Sequence, residues 1–346
     1  MRPDLQHVFR QQAQACRRLG SPFNGLVCEL LSEHLDGSTR FGRTIDAWKG
    51  PPIPDALALR AAGALHGLAR SGLTLRLAAE YPPQGSGEPR ALWAAIAEAL
   101  AAHEDFVCRY LDGPPQTNEV ARSSALLGAA LLIAHRTGLA LSWNEIGASA
   151  GLNLMFDQFR FELDVASYGD AESSVTIQSR WEGRLPPIES PLRIEDRAGA
   201  DLNPLLATSG EHRERLLSYI WPDQAERMAR TRAALDLVAA SSWRVERAAA
   251  AEWVEARFSL PLREGRAHVL AHTIVWQYLS PGEQDAISRV MQSAGERATE
   301  RAPLAWFSME ADEARDGAGL HLTLWPGGHR ALVGRADFHG RWVRWF

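Results

Sequence analysis

The chain has 346 residues, 37 Lys and Arg against 42 Asp and Glu, a formal net charge of −5, and 46% hydrophobic against 23% charged residues. That is enough apolar side chain for one large or two ordinary cores, and it excludes a disordered chain, a collagen-like fibre and a small disulfide-stapled scaffold. A mild acid excess gives no electrostatic footprint for duplex nucleic acid or an anionic lipid surface, and basic residues that are all arginine except Lys49 read as coding bias.

Residues 1–137 read as helices. Apolar residues recur at three- and four-residue spacing over 3–19, 22–35, 54–71, 89–111 and 117–137. The breaks are helix punctuation: Gly20-Ser21-Pro22, Gly50-Pro51-Pro52, Pro82 to Gly87 and Gly113-Pro114-Pro115. Thr117 is the expected cap of the last of these helices. Cys16, Cys28 and Cys108 form no C-x-x-C pair and read as inert thiols of a cytosolic protein. The first twenty residues hold no apolar signal core, and the longest apolar run, 125–134, is shorter than the ~20 residues a bilayer span needs. A cytoplasmic, bacterial protein with no membrane contact is expected.

From residue 138 short apolar runs alternate with helical segments. The runs are 139–147, 191–202, 243–251, 267–279, 303–310, 320–326 and 329–345; the helical segments include 212–239 and 281–300, the latter started by Ser280-Pro281-Gly282. Alternation of this kind predicts a mostly parallel sheet with helices on both faces, and Pro326-Gly327-Gly328 predicts a closing hairpin. The expected organisation is therefore a helical domain over 1–137 and an α/β domain over 138–346.

The chemistry begins where the first run ends, at Glu145-Ile146-Gly147-Ala148-Ser149-Ala150-Gly151. Small residues after a strand let a ligand approach the backbone, and a following helix would aim unpaired N–H groups at it. A carboxylate in front repels phosphate, and no Gly-Lys-Ser/Thr follows, so a P-loop is excluded; an acid there suits a ligand with positive charge. The second run ends in Asp201-Leu202-Asn203-Pro204. Two histidines, His268 and His272, share one strand face without a third ligand, so no metal site is expected.

Glu145 to Gly151 is similar to the acid-x-Gly-x-Gly-x-Gly signature of class I S-adenosylmethionine-dependent methyltransferases, with Ser149 in the middle-glycine place. This resemblance implies a Rossmann-like sheet of seven strands, the last antiparallel, with Glu145, Gly147, Ala148, Ser149, Gly151, Asp201 and Leu202 around the cofactor and Asp201 on the ribose hydroxyls. The stretch from Gly151 to Asp201 exceeds the ~20 residues usual in dinucleotide folds, which predicts an insertion at about 156–190. Along nearly its whole length the chain also resembles an uncharacterised bacterial family, domain of unknown function twenty-three thirty-two, through Gln116-Thr117-Asn118-Glu119, EIGASAGLNL, Asp-Leu-Asn-Pro, Trp221-Pro222 and the His272–Tyr278 stretch. From these resemblances His272 is the candidate base, with Tyr278 or Glu119 orienting the acceptor. Asn118, Glu119, Arg122 and Trp276 become candidate substrate-binding residues, and the helical domain a cap over the pocket. Methyl transfer to a small-molecule acceptor is the leading expectation. A non-catalytic binder of S-adenosylmethionine or S-adenosylhomocysteine, and a nicotinamide-dependent oxidoreductase on a related fold, stay open.

Overall fold

The computed structural model describes residues 1–85, 87–314 and 316–346. Its helices are α1 (Pro3–Arg18), α2 (Pro22–His34), α3 (Arg40–Asp46), α4 (Leu57–Arg70), α5 (Leu75–Glu80), α6 (Pro89–Ala102), α7 (Glu104–Arg109), α8 (Ser123–Thr137), α9 (Gly210–Ser218), α10 (Ala225–Ala240), α11 (Ala250–Phe258) and α12 (Pro281–Glu296). The chain divides into two compact units, one of residues 1–117 with 210–229 and one of 118–209 with 230–346.

The first unit is helical. Pro3 and Pro22 stand in the first turns of α1 and α2, where a missing N–H costs nothing. One core gathers Leu5, Phe9, Val27, Leu31, Phe41, Leu65 and Ile96, all fully or nearly fully buried, with Tyr219 of the later segment. The stretch expected as one helix over 89–111 breaks at His103, and 212–239 breaks around Trp221-Pro222 into α9 and α10. Proline has no N–H to donate and forces the residue before it out of helical geometry.

The second unit is built on a nine-stranded sheet in the order β5-β12-β11-β10-β9-β8-β1-β6-β7. The strands are β1 (Ala140–Ile146), β5 (Arg180–Gly183), β6 (Ile194–Asp201), β7 (Glu246–Arg247), β8 (Arg266–Thr273), β9 (Leu304–Glu310), β10 (Ala318–Trp325), β11 (His329–Ala336) and β12 (Trp342–Trp345). β1 is buried along its whole length, as a central strand covered on both faces must be. It pairs in parallel with β6 and β8; β7 extends the parallel set beyond β6 and β9 beyond β8. The chain thus runs outward from β1 in one direction, returns, and runs outward in the other, the order of a doubly wound sheet.

The expected count of seven strands is corrected to nine. The run 329–345 is two strands, because Asp337 accepts the N–H groups of His339 and Arg341 and turns the chain between them. β5, out of the stretch expected as an insertion, adds in parallel to β12. The remainder of that stretch forms a separate sheet of β2 (Arg160–Glu162), β3 (Ser167–Tyr168) and β4 (Thr176–Gln178), in the order β3-β2-β4. The Pro326-Gly327-Gly328 hairpin is present, pairing Leu324 with His329. α12 starts with a capping box in which the Ser280 side chain and the Glu283 N–H, and the Glu283 carboxylate and the Ser280 N–H, satisfy one another.

Candidate functional site

β1, β6 and β8 end side by side, and their C-terminal ends carry the sequence-predicted carboxylates. Register decides which side chains share a face. Glu145 pairs with Gly199 on β6 and with Ala271 on β8. Alternation along each strand then puts Glu145, Asp201 and Thr273 on one face, and Ile146, Ala200 and His272 on the other. The first face meets α8 and the loop after β1; the second packs against α11 and α12 around Ile146, Ala198, Leu270, Trp253, Phe258 and Ile287.

On the first face Glu145 is 2% exposed. Burial pushes its carboxyl up to about 8, with Arg122 pulling it down and Asp201 pushing it further up. Its Oε2 is buried and has no hydrogen-bond partner. Glu145 and Asp201 thus share a face and feel one another's charge. The chain after β1 is a tight loop in which Gly147, Ser149 and Gly151 have φ of 69°, 52° and 75°. Glycine is required twice for space as well: a Cβ on Gly147 would lie 2.4 Å from Val275 Cγ2, and one on Gly151 would lie 2.6 Å from the Trp243 ring. Asp201 ties the loop down, accepting the Ser149 N–H at 2.9 Å and the Asn203 N–H at 2.8 Å. Each of its oxygens keeps a further lone pair. Leu202, by contrast, is 67% exposed.

The helix expected to begin after the glycines is a short 3-10 turn, Leu152–Gln158. Its first N–H, on Leu152, is not aimed at a ligand: it is donated to Asn118 Oδ1 at 2.9 Å. Asn153 Nδ2 donates to the Glu119 carbonyl at 3.2 Å, while Asn153 Oδ1 and Ser149 Oγ are buried and unpartnered. Arg197 of β6 clamps the far end of the turn, with two hydrogen bonds to Asp157 at 2.7 and 2.8 Å and one to the Leu154 carbonyl at 2.6 Å. The expected Thr117 cap is replaced by Glu119. Residues 114–119 are not helical, and Glu119 accepts the Ala121 N–H at the head of a single 3-10 turn, Val120–Arg122. Glu119 also faces Arg230 at 3.6 Å. Arg122 donates to the Phe338 and Thr273 carbonyls. Asn118, Glu119 and Arg122 therefore belong to the same cluster as the glycine loop.

Beside Gly151 the space is nearly filled. A cavity of about 10 Å³ is lined by Ala150, Leu205, Val238, Trp243 and Val245, less than one planar ring needs. Glu252 is exposed in the first turn of α11.

His272, Tyr278 and Trp276 do not join this cluster. His272 is on the opposite face, hydrogen-bonded through Nδ1 to Glu310 Oε1 at 2.7 Å and stacked on Trp276. Tyr278 is 73% exposed on the surface turn Trp276–Tyr278. Sequence reasoning missed Asn153, Arg197, Arg230 and Glu310. Glu310 had a signal, since it ends an apolar strand run just as Glu145 and Asp201 do. Among the described residues no group of three or more His, Cys, Asp or Glu side chains could hold a metal ion, and no helix is long and apolar enough to cross a membrane.

A doubly wound α/β unit with paired carboxylates over a positive-φ loop at the carboxyl ends of its central strands is thus the class of site present. The model of the family DUF2332, described as an uncharacterised protein conserved in bacteria, matches residues 6–345. The chain belongs to that family. No curated protein matches it, and no solved structure does.

Proposed function

We propose that the Glu145–Asp201 cluster binds S-adenosylmethionine and that the chain transfers its methyl group to a small-molecule acceptor. The observation that carries this reading is the polarity of the atoms left without partners around one loop: Glu145 Oε2, Ser149 Oγ and Asn153 Oδ1. With Glu145 ionised, Glu145 Oε2 and Asn153 Oδ1 only accept and Ser149 Oγ accepts or donates, so a ligand that satisfies them brings donors to at least two of the three. An amino acid joined to a nucleoside brings an ammonium group and a ribose diol. Glu145 suits the ammonium, and Asp201, through the lone pairs its backbone contacts leave, suits the diol. The site lies at the carboxyl ends of the parallel strands, where doubly wound sheets bind ligands. The Glu145–Gly151 sequence pattern agrees.

When bound, the cofactor supplies an electrophilic methyl group. The chain's contribution is alignment: the Asp201 and Arg197 contacts fix the loop, so that proximity and orientation carry most of the rate. Titration calorimetry with S-adenosylmethionine and with NADH, on the wild-type chain and on Glu145→Gln and Asp201→Asn, tests this. Saturable binding of the first ligand alone, weakened in both variants by about 1–3 kcal/mol, is expected from loss of charge-assisted hydrogen bonds. Preferential binding of NADH, or S-adenosylmethionine binding untouched by either substitution, overturns it.

A further inference from the structure

The α11/α12 face of the sheet carries a second cluster with buried nitrogens that no described residue satisfies. His272 is 2% exposed, and its Nδ1 lies 2.7 Å from Glu310 Oε1. The same oxygen accepts the Val275 N–H at 3.1 Å. A carboxylate oxygen accepts, so a proton belongs on Nδ1, and in the neutral imidazole Nε2 then presents a lone pair. That Nε2 is buried with no partner, and so is the indole Nε1 of Trp306. The two rings lie 6.1 Å apart, and the pairings Leu270 with Trp306 and His272 with Ser308 put both on one face of the sheet. With the imidazole neutral, one ring is an acceptor without a donor and the other a donor without an acceptor. Leaving each buried and unpaired is a cost the fold carries unless a ligand meets it.

The third member is Trp276, stacked on the imidazole at 5.0 Å and 19° and packed 5.7 Å from Trp306. It stands on the surface turn Trp276–Tyr278, reached through Ile274 at φ 54°. A β-branched residue seldom adopts that conformation, and such outliers gather at ligand sites.

We propose that His272, Glu310 and Trp306 form a binding and proton-accepting site for a planar aromatic alcohol. The ligand ring takes the place of the Trp276 indole against His272, and its hydroxyl donates to Nε2 while accepting from the Trp306 N–H. If the proton crosses, the O–H electron pair stays on the oxygen, which the indole N–H holds, and the resulting imidazolium faces the Glu310 carboxylate. Glu310 is here a positioning residue: it touches only the imidazole and the Val275 N–H. No cofactor enters this binding, so the site stands apart from the methyl-transfer reading, and the two can fail separately.

The test uses the full chain with ¹⁵N-labelled histidine, the His272 signals being assigned by their loss in His272→Gln. In the wild-type chain the proton sits on Nδ1; in Glu310→Gln, whose amide can donate as well as accept, that fixed tautomer is lost. Phenol is the probe, with anisole and toluene as rings that have no hydroxyl proton. Phenol shifts the Nε2 signal saturably and binds at least ~tenfold tighter than anisole, as expected for a site that pairs a hydroxyl. Trp276→Ala, which removes the competing ring, raises phenol affinity, and His272→Gln removes the preference over anisole. A proton on Nε2 in the wild-type chain overturns the proposal. So does equal binding of phenol and anisole, or an Nε2 signal unmoved by phenol even in Trp276→Ala, which would mean that Nε2 is served by an enclosed water.

Discussion

Glu145→Gln separates the electrostatic reading of the carboxylate cluster from a purely steric one. The carboxyl is fully enclosed and is pushed from its ordinary 4.5 to about 8. Below pH 4.5 it carries a proton in both the folded and the unfolded chain. From there upward the unfolded chain releases the proton while the folded chain keeps it until about pH 8, so the unfolded state binds fewer protons and stability falls across that window. The slope is about 1.4 kcal/mol per pH unit, which sums to about 5 kcal/mol between the two values. Glutamine has nearly the same shape and does not titrate, so the variant lacks this decline. Urea unfolding of both chains, repeated between about pH 5 and pH 9, should show the variant gaining on the wild type steadily up to about pH 8 and holding level above it. The offset at pH 5 is set by how well the amide is hydrogen-bonded and does not matter; the change with pH does. Parallel stability curves would refute the reasoning, because they would mean that Glu145 titrates alike folded and unfolded.

Three further outcomes follow from the same residues. A bound ammonium group favours the ionised carboxylate, so S-adenosylmethionine binding below pH 8 should release close to one proton from Glu145, read as a dependence of the calorimetric heat on buffer ionisation enthalpy and absent in Glu145→Gln. Arg197→Met leaves Asp157 without its two hydrogen bonds in a site where both side chains are under one-fifth exposed; it should cost about 2–4 kcal/mol in urea unfolding, and Asp157→Asn less, since the amide still accepts. Gly147→Ala and Gly151→Ala combine a left-handed backbone with a collision, while Gly72→Ala, at φ 77° with nothing within 4 Å of the new Cβ, has the backbone penalty alone. The first two should lower stability by more than about 2 kcal/mol and the third by about 1 kcal/mol; equal losses at all three would show that the loop gives way to Val275 and Trp243.

The elements legible in the sequence were those marked by local chemistry. The Ser280-Pro281 start carries its own capping partner at Glu283, the Pro326-Gly327-Gly328 turn marks its own hairpin, and Glu145 and Asp201 each end an apolar run, so their meeting follows once β1 and β6 are parallel neighbours. What escaped depended on partners far along the chain. β5 is four residues long and is a strand only because β12 offers it an edge. The segment after Gly151 reads as a helix start, yet Asn118 takes the Leu152 N–H and Arg197 holds the Leu154 carbonyl, and these contacts settle it as a 3-10 turn. Nothing within six residues of Gly151 announces either partner.

Strand parity explains the largest departure, the separation of His272 from the carboxylates. His272 stands one residue beyond Ala271, the register partner of Glu145, and one residue is enough to send a side chain through the sheet to the other face. The sequence gives strand membership readily but fixes register only through the pattern of what is buried, and β8 is buried over nearly all of its length, on both faces. A strand of that kind hides its own parity. The consequence is two chemically distinct clusters at the carboxyl ends of the central strands, a buried acceptor-rich cluster on the α8 side and an imidazole–carboxylate pair under two indoles on the α12 side. They are separated by the thickness of the sheet and joined by a single turn, Ile274–Val275, in which Val275 abuts Gly147 of the first cluster while its N–H is held by Glu310 of the second. A ligand that moved either loop would act on that valine, so the two clusters are mechanically adjacent even though their side chains face apart.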